Sequence, residues 1–112
     1  RARALWYLAS LYATEHLSDP SYETVVRECH QLPVQFHGDC IRGFAEGLLE
    51  HGSPGIEYKQ MLTFCREPSL VDAERAECLD ATLSTLESWY GTEKTKDICS
   101  SLDEGERAYC AL

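Results

Sequence analysis

Six cysteines in a chain of 112 residues constrain what this protein can fold into more than any other feature of its sequence. They fall into three neighbouring pairs with ten, twelve and ten residues between partners: Cys29 and Cys40, Cys65 and Cys78, and Cys99 and Cys110. An even number of regularly spaced cysteines is typical of disulfides in an oxidising compartment. Each pair spans a predicted helix turn, and antiparallel helices bring such positions together. The spacing therefore predicts three disulfides between neighbouring cysteines and an extracytoplasmic location.

The residues that flank the cysteines repeat as well. The first members of the pairs recur after 36 and then 34 residues, which is the length of one helix–turn–helix repeat. Two motifs place an aromatic residue, two aliphatic residues and a cysteine on one helical face: Tyr22-x2-Val25-Val26-x2-Cys29 and Tyr58-x2-Met61-Leu62-x2-Cys65. The pattern predicts two-helix units with equivalent core faces.

The composition favours an all-α fold, because there are only 7 Gly and 4 Pro. Hydrophobic periodicity and capping signals predict seven helices, over residues 3–17, 20–31, 36–51, 54–66, 70–90, 93–101 and 104–112. We expect a single domain over residues 1–112, made of stacked antiparallel hairpins with one disulfide per unit. The chain begins with Arg rather than Met, so we also expect a mature form or a fragment of a longer protein.

Two further patterns predict how helices begin. Ser69-x2-Asp72 and Asp103-x2-Glu106 have the spacing of a capping box, in which the side chains and backbone N–H groups at a helix start satisfy each other. Both pairs come directly before apolar or helix-forming stretches. They predict helix starts near residues 70 and 104.

In order and spacing, these signals resemble the tetratricopeptide-like repeats, and most closely the cysteine-containing Sel1-like subgroup. In that subgroup a helix ends in Cys, and a second Cys opens a helix with a small residue three positions on and a glycine-bearing turn at its end. The matching residues are Cys29, Cys40, Gly43, Gly52 and Gly55, and then Cys65, Cys78, Ala81 and Gly91. The resemblance implies a scaffold for protein–protein contact, secreted or periplasmic, with no catalytic residues.

The chain is strongly acidic, with a formal charge of −9 from 19 acidic and 10 basic residues. Nucleic acids and anionic membrane surfaces attract clustered Lys and Arg, so the charge argues against both as partners. No apolar run approaches the roughly 20 residues that a membrane span needs, so we expect no membrane insertion.

Candidate chemistry is confined to the first cysteine pair. Cys29, His30, His37 and Cys40 are four potential zinc ligands, but adjacent residues such as Cys29 and His30 cannot easily both face one ion. Disulfides account for all three pairs, whereas zinc would account for one. A nucleophilic Cys40 activated by His37 is excluded if that thiol is in a disulfide. We therefore predict no catalytic residues, no metal and no cofactor.

The predicted binding residues are Trp89, Glu46 and Glu50. Trp89 closes the longest predicted helix, where it either caps the core edge or anchors a partner. Glu46 and Glu50 lie four residues apart on one polar helical face, which is either a solvated surface or part of a binding face. With Asp72, Glu77, Asp80 and Glu87 they would make a common acidic field if the helices over 36–51 and 70–90 lie side by side.

These observations predict a non-enzymatic protein–protein interaction module of the bacterial envelope or the extracellular space, whose protein partner has a basic surface. Two alternatives remain open. One is a carrier whose helices enclose an apolar ligand, which binding of a fluorescent apolar probe would reveal. The other is an accessory domain of a larger protein.

Overall fold

The computed structural model describes residues 22–110, and every regular element among them is helical. The prediction of an all-α fold is thus confirmed for this part of the chain. Six α-helices follow one another, with a short 3₁₀ helix at Val34–Phe36 before the second: α1 Glu23–His30, α2 His37–His51, α3 Glu57–Cys65, α4 Asp72–Leu83, α5 Leu86–Ser100 and α6 Glu104–Arg107. The helix predicted over 3–17 lies outside the described residues. None of the helices between residues 22 and 110 is both long enough and apolar enough to span a membrane.

Two predicted helices are wrong. The helix predicted over 104–112 is α6, which already ends at Arg107. The stretch 70–90 is not continuous, because α4 ends at Leu83 and α5 begins at Leu86. The cause is a run of hydroxyl side chains that bond to carbonyls of the preceding turn: Thr82 donates to the Cys78 carbonyl at 2.7 Å, and Thr85 donates to the Thr82 carbonyl at 2.9 Å. Such bonds compete with the helical backbone pattern and interrupt it.

A second interruption lies inside α5. Gly91 has φ 78° and ψ 170°, so the helical backbone stops there and resumes with the next residue. A positive φ strongly favours glycine, because it has no Cβ to clash with the backbone. The sequence predicted that Gly91 ends one helix and that another begins near residue 93. Gly91 does interrupt the helix, although the helical turns before and after it follow each other directly and together make up α5.

The structure contains three disulfides, and they join the pairs that the spacing predicts. The Cα atoms are 5.6 Å apart in Cys29–Cys40, 5.6 Å in Cys65–Cys78 and 6.4 Å in Cys99–Cys110. The three bridges join α1 to α2, α3 to α4, and α5 to the residues that follow α6. We call these segments the first, second and third units.

The predicted core faces are buried. Tyr22, Val25, Val26 and Cys29 are each at most 3% exposed. Met61, Leu62 and Cys65 are also buried, whereas Tyr58 of the same motif is only partly buried against the core. The rings of Tyr22, Phe44 and Phe64 meet in the centre with centroids 4.7–5.7 Å apart, so the core joins the first unit to the second.

Polar contacts join the units at their surfaces. Arg66, after α3, donates to both carboxylate oxygens of Glu106 on α6 at 2.7 Å each. On another side, the Tyr90 hydroxyl donates to Glu57 Oε1 at 2.9 Å and accepts the Tyr58 N–H at 3.0 Å. Burial and the bond to Glu57 raise the pKa of Tyr90 well above its usual range, so the phenol keeps its proton.

Helix α2 packs against both α3 and α4. The solvent-exposed side of α2 therefore lies beside the solvent-exposed side of α4.

Candidate functional site

The three predicted binding residues line one surface cleft. Glu46 and Glu50 on α2 form one wall, and Thr85, Ser88 and Trp89 form the other, around a volume of about 320 Å³. Trp89 is 47% exposed, so its indole ring is accessible. The alternative that Trp89 caps the edge of the core is therefore weakened, because nearly half of its surface meets solvent.

A second, wider cleft continues from the first. Its volume is about 690 Å³ and Glu46 belongs to both clefts; the other lining residues are Arg42, Ala76, Glu77, Asp80, Ala81 and Tyr109. Of the lining residues that the structure describes, three from α2 and α4 are carboxylates and one is a guanidinium. We call the two clefts together the acidic face. Of the six carboxylates predicted to share a field, four line it, and only Asp72 and Glu87 line neither cleft.

Arg42, which lines the acidic face, is paired with carboxylates. It donates to Asp39 at 2.6 Å and to Glu77 at 3.3 Å. Its charge is therefore compensated by these two carboxylates, and the ring of His51 lies 3.7 Å from Glu50. Among residues 22–110, the lining of the acidic face thus has more carboxylates than cations, beside an exposed tryptophan.

A different cluster lies where the first unit meets the start of α4. His30 Nε2 is 3.0 Å and 2.9 Å from the two carboxylate oxygens of Glu74, and His37 Nδ1 is 3.9 Å from Glu74 Oε2. The two imidazole rings have centroids 5.1 Å apart. Only 8% of Glu74 is exposed, so this is a carboxylate buried against two imidazoles.

The chemistry considered for the first cysteine pair is not available in this structure. No cysteine is free, and all six of them lie within the described residues. The thiols that a Cys2His2 zinc site or a Cys40 nucleophile would need are therefore consumed by disulfides. His30 and His37 turn instead toward Glu74.

Glu74 is the residue of this cluster that sequence reasoning missed. The predicted capping box placed Ser69 and Asp72 at the start of the helix, whereas in the structure Glu74 accepts the Val71 N–H at 3.0 Å. Val71-x2-Glu74 has the spacing of a capping box. The motif is not recognisable in the sequence, because its first position is usually Ser, Thr, Asp or Asn and here it is valine. The approach of Glu74 to His30, 44 positions earlier, depends on tertiary packing alone.

Comparison of the chain with protein-family models, curated proteins and solved structures finds no match.

Proposed function

We propose that this protein is a non-enzymatic protein-binding module of an extracytoplasmic compartment, periplasmic or secreted, and that it binds a basic segment of its partner on the acidic face. The observation that carries the proposal is the convergence of Trp89, Glu46 and Glu50 on one cleft. Three disulfides support the location, because such bonds persist in oxidising compartments.

The chemistry of the face selects the partner. An exposed tryptophan binds the cationic head and the methylene stem of Lys or Arg, and nearby carboxylates accept charge-assisted hydrogen bonds from the same groups. Tryptophan is also among the residues most enriched at the energetic centres of protein interfaces. A partner segment with alternating basic and apolar side chains therefore fits this face.

The net charge of the whole chain also favours a basic partner. With 19 acidic and 10 basic residues, the molecule attracts cationic partners and repels anionic ones. Such a field raises the association rate more than the affinity, and salt screens it. The proposed stacking of repeat units, typical of Sel1-like proteins, would create the shared face that spans α2 and α4.

The test uses a surface-immobilised panel of basic–apolar peptides, with scrambled and acidic peptides of equal length. Binding is measured for the native protein and for Trp89→Ala. We expect the basic–apolar peptides to bind best, with an association rate that falls as salt rises, and Trp89→Ala to weaken binding by about 2 kcal/mol. Glu46→Gln and Glu50→Gln should slow association and flatten the salt dependence.

Glu28→Gln is the matched control, because it removes one exposed carboxylate from α1, which lines neither cleft. It should leave peptide binding nearly unchanged. Basic peptides that bind no better than acidic ones, or an equal effect of Glu28→Gln and Glu50→Gln, would contradict the proposal. A fluorescent apolar probe that binds the folded protein stoichiometrically would favour the carrier alternative instead.

A further inference from the structure

We propose that His30, His37 and Glu74 bind one divalent transition-metal ion of the zinc class. The three side chains offer one donor atom each, and these atoms all lie within 4.8 Å of one another. The proposal is independent of the acidic face, because none of the three residues lines either cleft.

The distances between the donor atoms suit a small tetrahedral ion. Zinc holds nitrogen and carboxylate oxygen ligands at about 2.0–2.2 Å, so two ligand atoms on one tetrahedral ion are about 3.4 Å apart. Glu74 Oε2 is 2.9 Å from His30 Nε2 and 3.9 Å from His37 Nδ1, which brackets that value. All three donor atoms lie within 4.8 Å of one another, so the side chains would have to close around the ion to complete the three-ligand set.

The protein fixes the orientation of these ligands. His37 Nε2 lies 2.7 Å from the Leu32 carbonyl, and since a carbonyl can only accept, this nitrogen carries the proton. Nδ1 of a neutral His37 then presents its lone pair toward Glu74. A hydrogen bond from the distal ring nitrogen to a carbonyl is the usual outer contact of a metal-binding histidine.

Glu74 is held in a similar way. Its Oε1 accepts the Val71 N–H at 3.0 Å, which leaves Oε2 as the oxygen nearest to both rings. Both histidines lie in the loop that the Cys29–Cys40 disulfide closes, so the bridge limits how far they can move apart. The site is therefore largely formed before an ion arrives.

The donor set and its exposure indicate the class of ion. Two imidazoles and one carboxylate suit Zn²⁺, Co²⁺, Ni²⁺ or Cu²⁺, whereas Ca²⁺ and Mg²⁺ prefer oxygen ligands alone. The side chains of His30 and His37 are 32% and 19% exposed, so solvent reaches the cluster and water can supply the remaining ligand. The proton that His30 Nε2 donates to Glu74 leaves when the ion binds.

This proposal replaces the sequence-based prediction of no metal. That prediction weighed only ligands close together in sequence, and Glu74 was not among them. The ion is not expected to hold the fold together, because the disulfides and the buried core already do so.

The experiment titrates the purified, oxidised protein with Zn²⁺ by calorimetry and with Co²⁺ by visible absorption. We expect one Zn²⁺ per chain and an intense Co²⁺ spectrum typical of four-coordination, with no binding of Mg²⁺ or Ca²⁺ at equal concentration. Glu74→Gln keeps an oxygen to accept the Val71 N–H but removes the anionic ligand. Glu74→Gln and His30→Gln should each weaken Zn²⁺ binding by about 100-fold or more, since loss of a mere outer-shell partner already costs 10- to 100-fold.

His51→Gln is the matched control, because it removes an imidazole near one carboxylate, Glu50, outside the cluster. It should leave Zn²⁺ affinity unchanged. Circular dichroism of each variant checks that the fold is retained, and His30→Gln, at the partly exposed residue, keeps the test valid if Glu74→Gln unfolds. No Zn²⁺ binding by the native protein would make the cluster an ion pair only and overturn the proposal. Zn²⁺ binding that survives both Glu74→Gln and His30→Gln would overturn it equally.

Discussion

At the scale of single residues, Thr95 is a buried residue whose hydroxyl group is left without a hydrogen bond. Thr95 is 2% exposed, and its hydroxyl has no hydrogen-bond partner within residues 22–110. A buried hydroxyl that makes no hydrogen bond carries the cost of its lost hydration. We therefore predict that Thr95→Val, which keeps the shape and removes the hydroxyl, raises the free energy of unfolding by about 1 kcal/mol, measured by urea denaturation.

Thr82 provides the comparison, since it is fully buried but its hydroxyl donates to the Cys78 carbonyl at 2.7 Å. Thr82→Val makes the same chemical change where the hydroxyl has a partner, so it should destabilise the protein or leave it unchanged. A Thr95→Val variant less stable than the native protein would contradict the interpretation.

From the sequence, side chains can be placed relative to one another within a single helix. Glu46 and Glu50 are four positions apart on α2 and line the same cleft as Trp89, which is 47% exposed. Glu74 could not be found in this way. Its two partners come from another unit, and no periodicity within one helix encodes a contact between distant segments.

At the scale of elements, an ion pair joins the short helix α6 to the residue that follows α3. Arg66 bonds to both oxygens of Glu106, and this contact is the main reason that the pKa of Glu106 lies below its usual range. A lowered folded-state pKa means that the pair stabilises the fold above the unfolded-state pKa of about 4.3. The stabilisation is lost as the pH falls through the folded-state value.

We therefore predict that α6 loses hydrogen-exchange protection below about pH 4, earlier than α2 does. The free energy involved should be about 1 kcal/mol or less, because nearly half of the Arg66 side chain is exposed and solvent screens the pair. In Glu106→Gln the protection of α6 should be weaker at pH 7 and should change little on acidification. An unchanged pH profile in that variant would show that another group controls α6.

Element boundaries were predictable where hydrophobic periodicity and turn residues agree. The helix predicted over 36–51 differs from α2 by one residue at its start. The helix predicted over 70–90 failed because Leu79, Leu83 and Leu86 continue one buried stripe across the break between α4 and α5. The apolar pattern is therefore continuous across the break, and the competition of Thr82 and Thr85 for backbone carbonyls is not visible in it.

At the scale of the whole molecule, the units contribute unequally to the buried core. The third unit contains the four-residue α6 and contributes only four buried apolar or cysteine side chains: Leu86, Ile98, Cys99 and Leu102. The second unit places Met61, Phe64, Cys65, Cys78 and several leucines in the common core. We predict that mild reduction lowers the melting temperature and opens residues 99–110 before the other units.

The measurement is hydrogen exchange with and without a reductant, supported by pairwise Cys→Ser variants. Loss of the Cys99–Cys110 bridge should remove protection locally, whereas loss of Cys65–Cys78 should destabilise the whole molecule by about 3 kcal/mol, as expected for closing a loop of this size. Equal loss of protection in all units after reduction would contradict the prediction.

The short span of each bridge also bears on how the chain acquires its native disulfides. The bonded cysteines are 11, 13 and 11 positions apart, and every cysteine is nearer in sequence to its partner than to any other cysteine. Because short loops close at a lower entropic cost than long ones, random encounters already favour the native pairs. A chain that enters an oxidising compartment from its N-terminus would complete each bridge soon after its second cysteine arrives. No thiol then has to wait for a distant partner, so we expect the native bridges to form with little help from a disulfide isomerase.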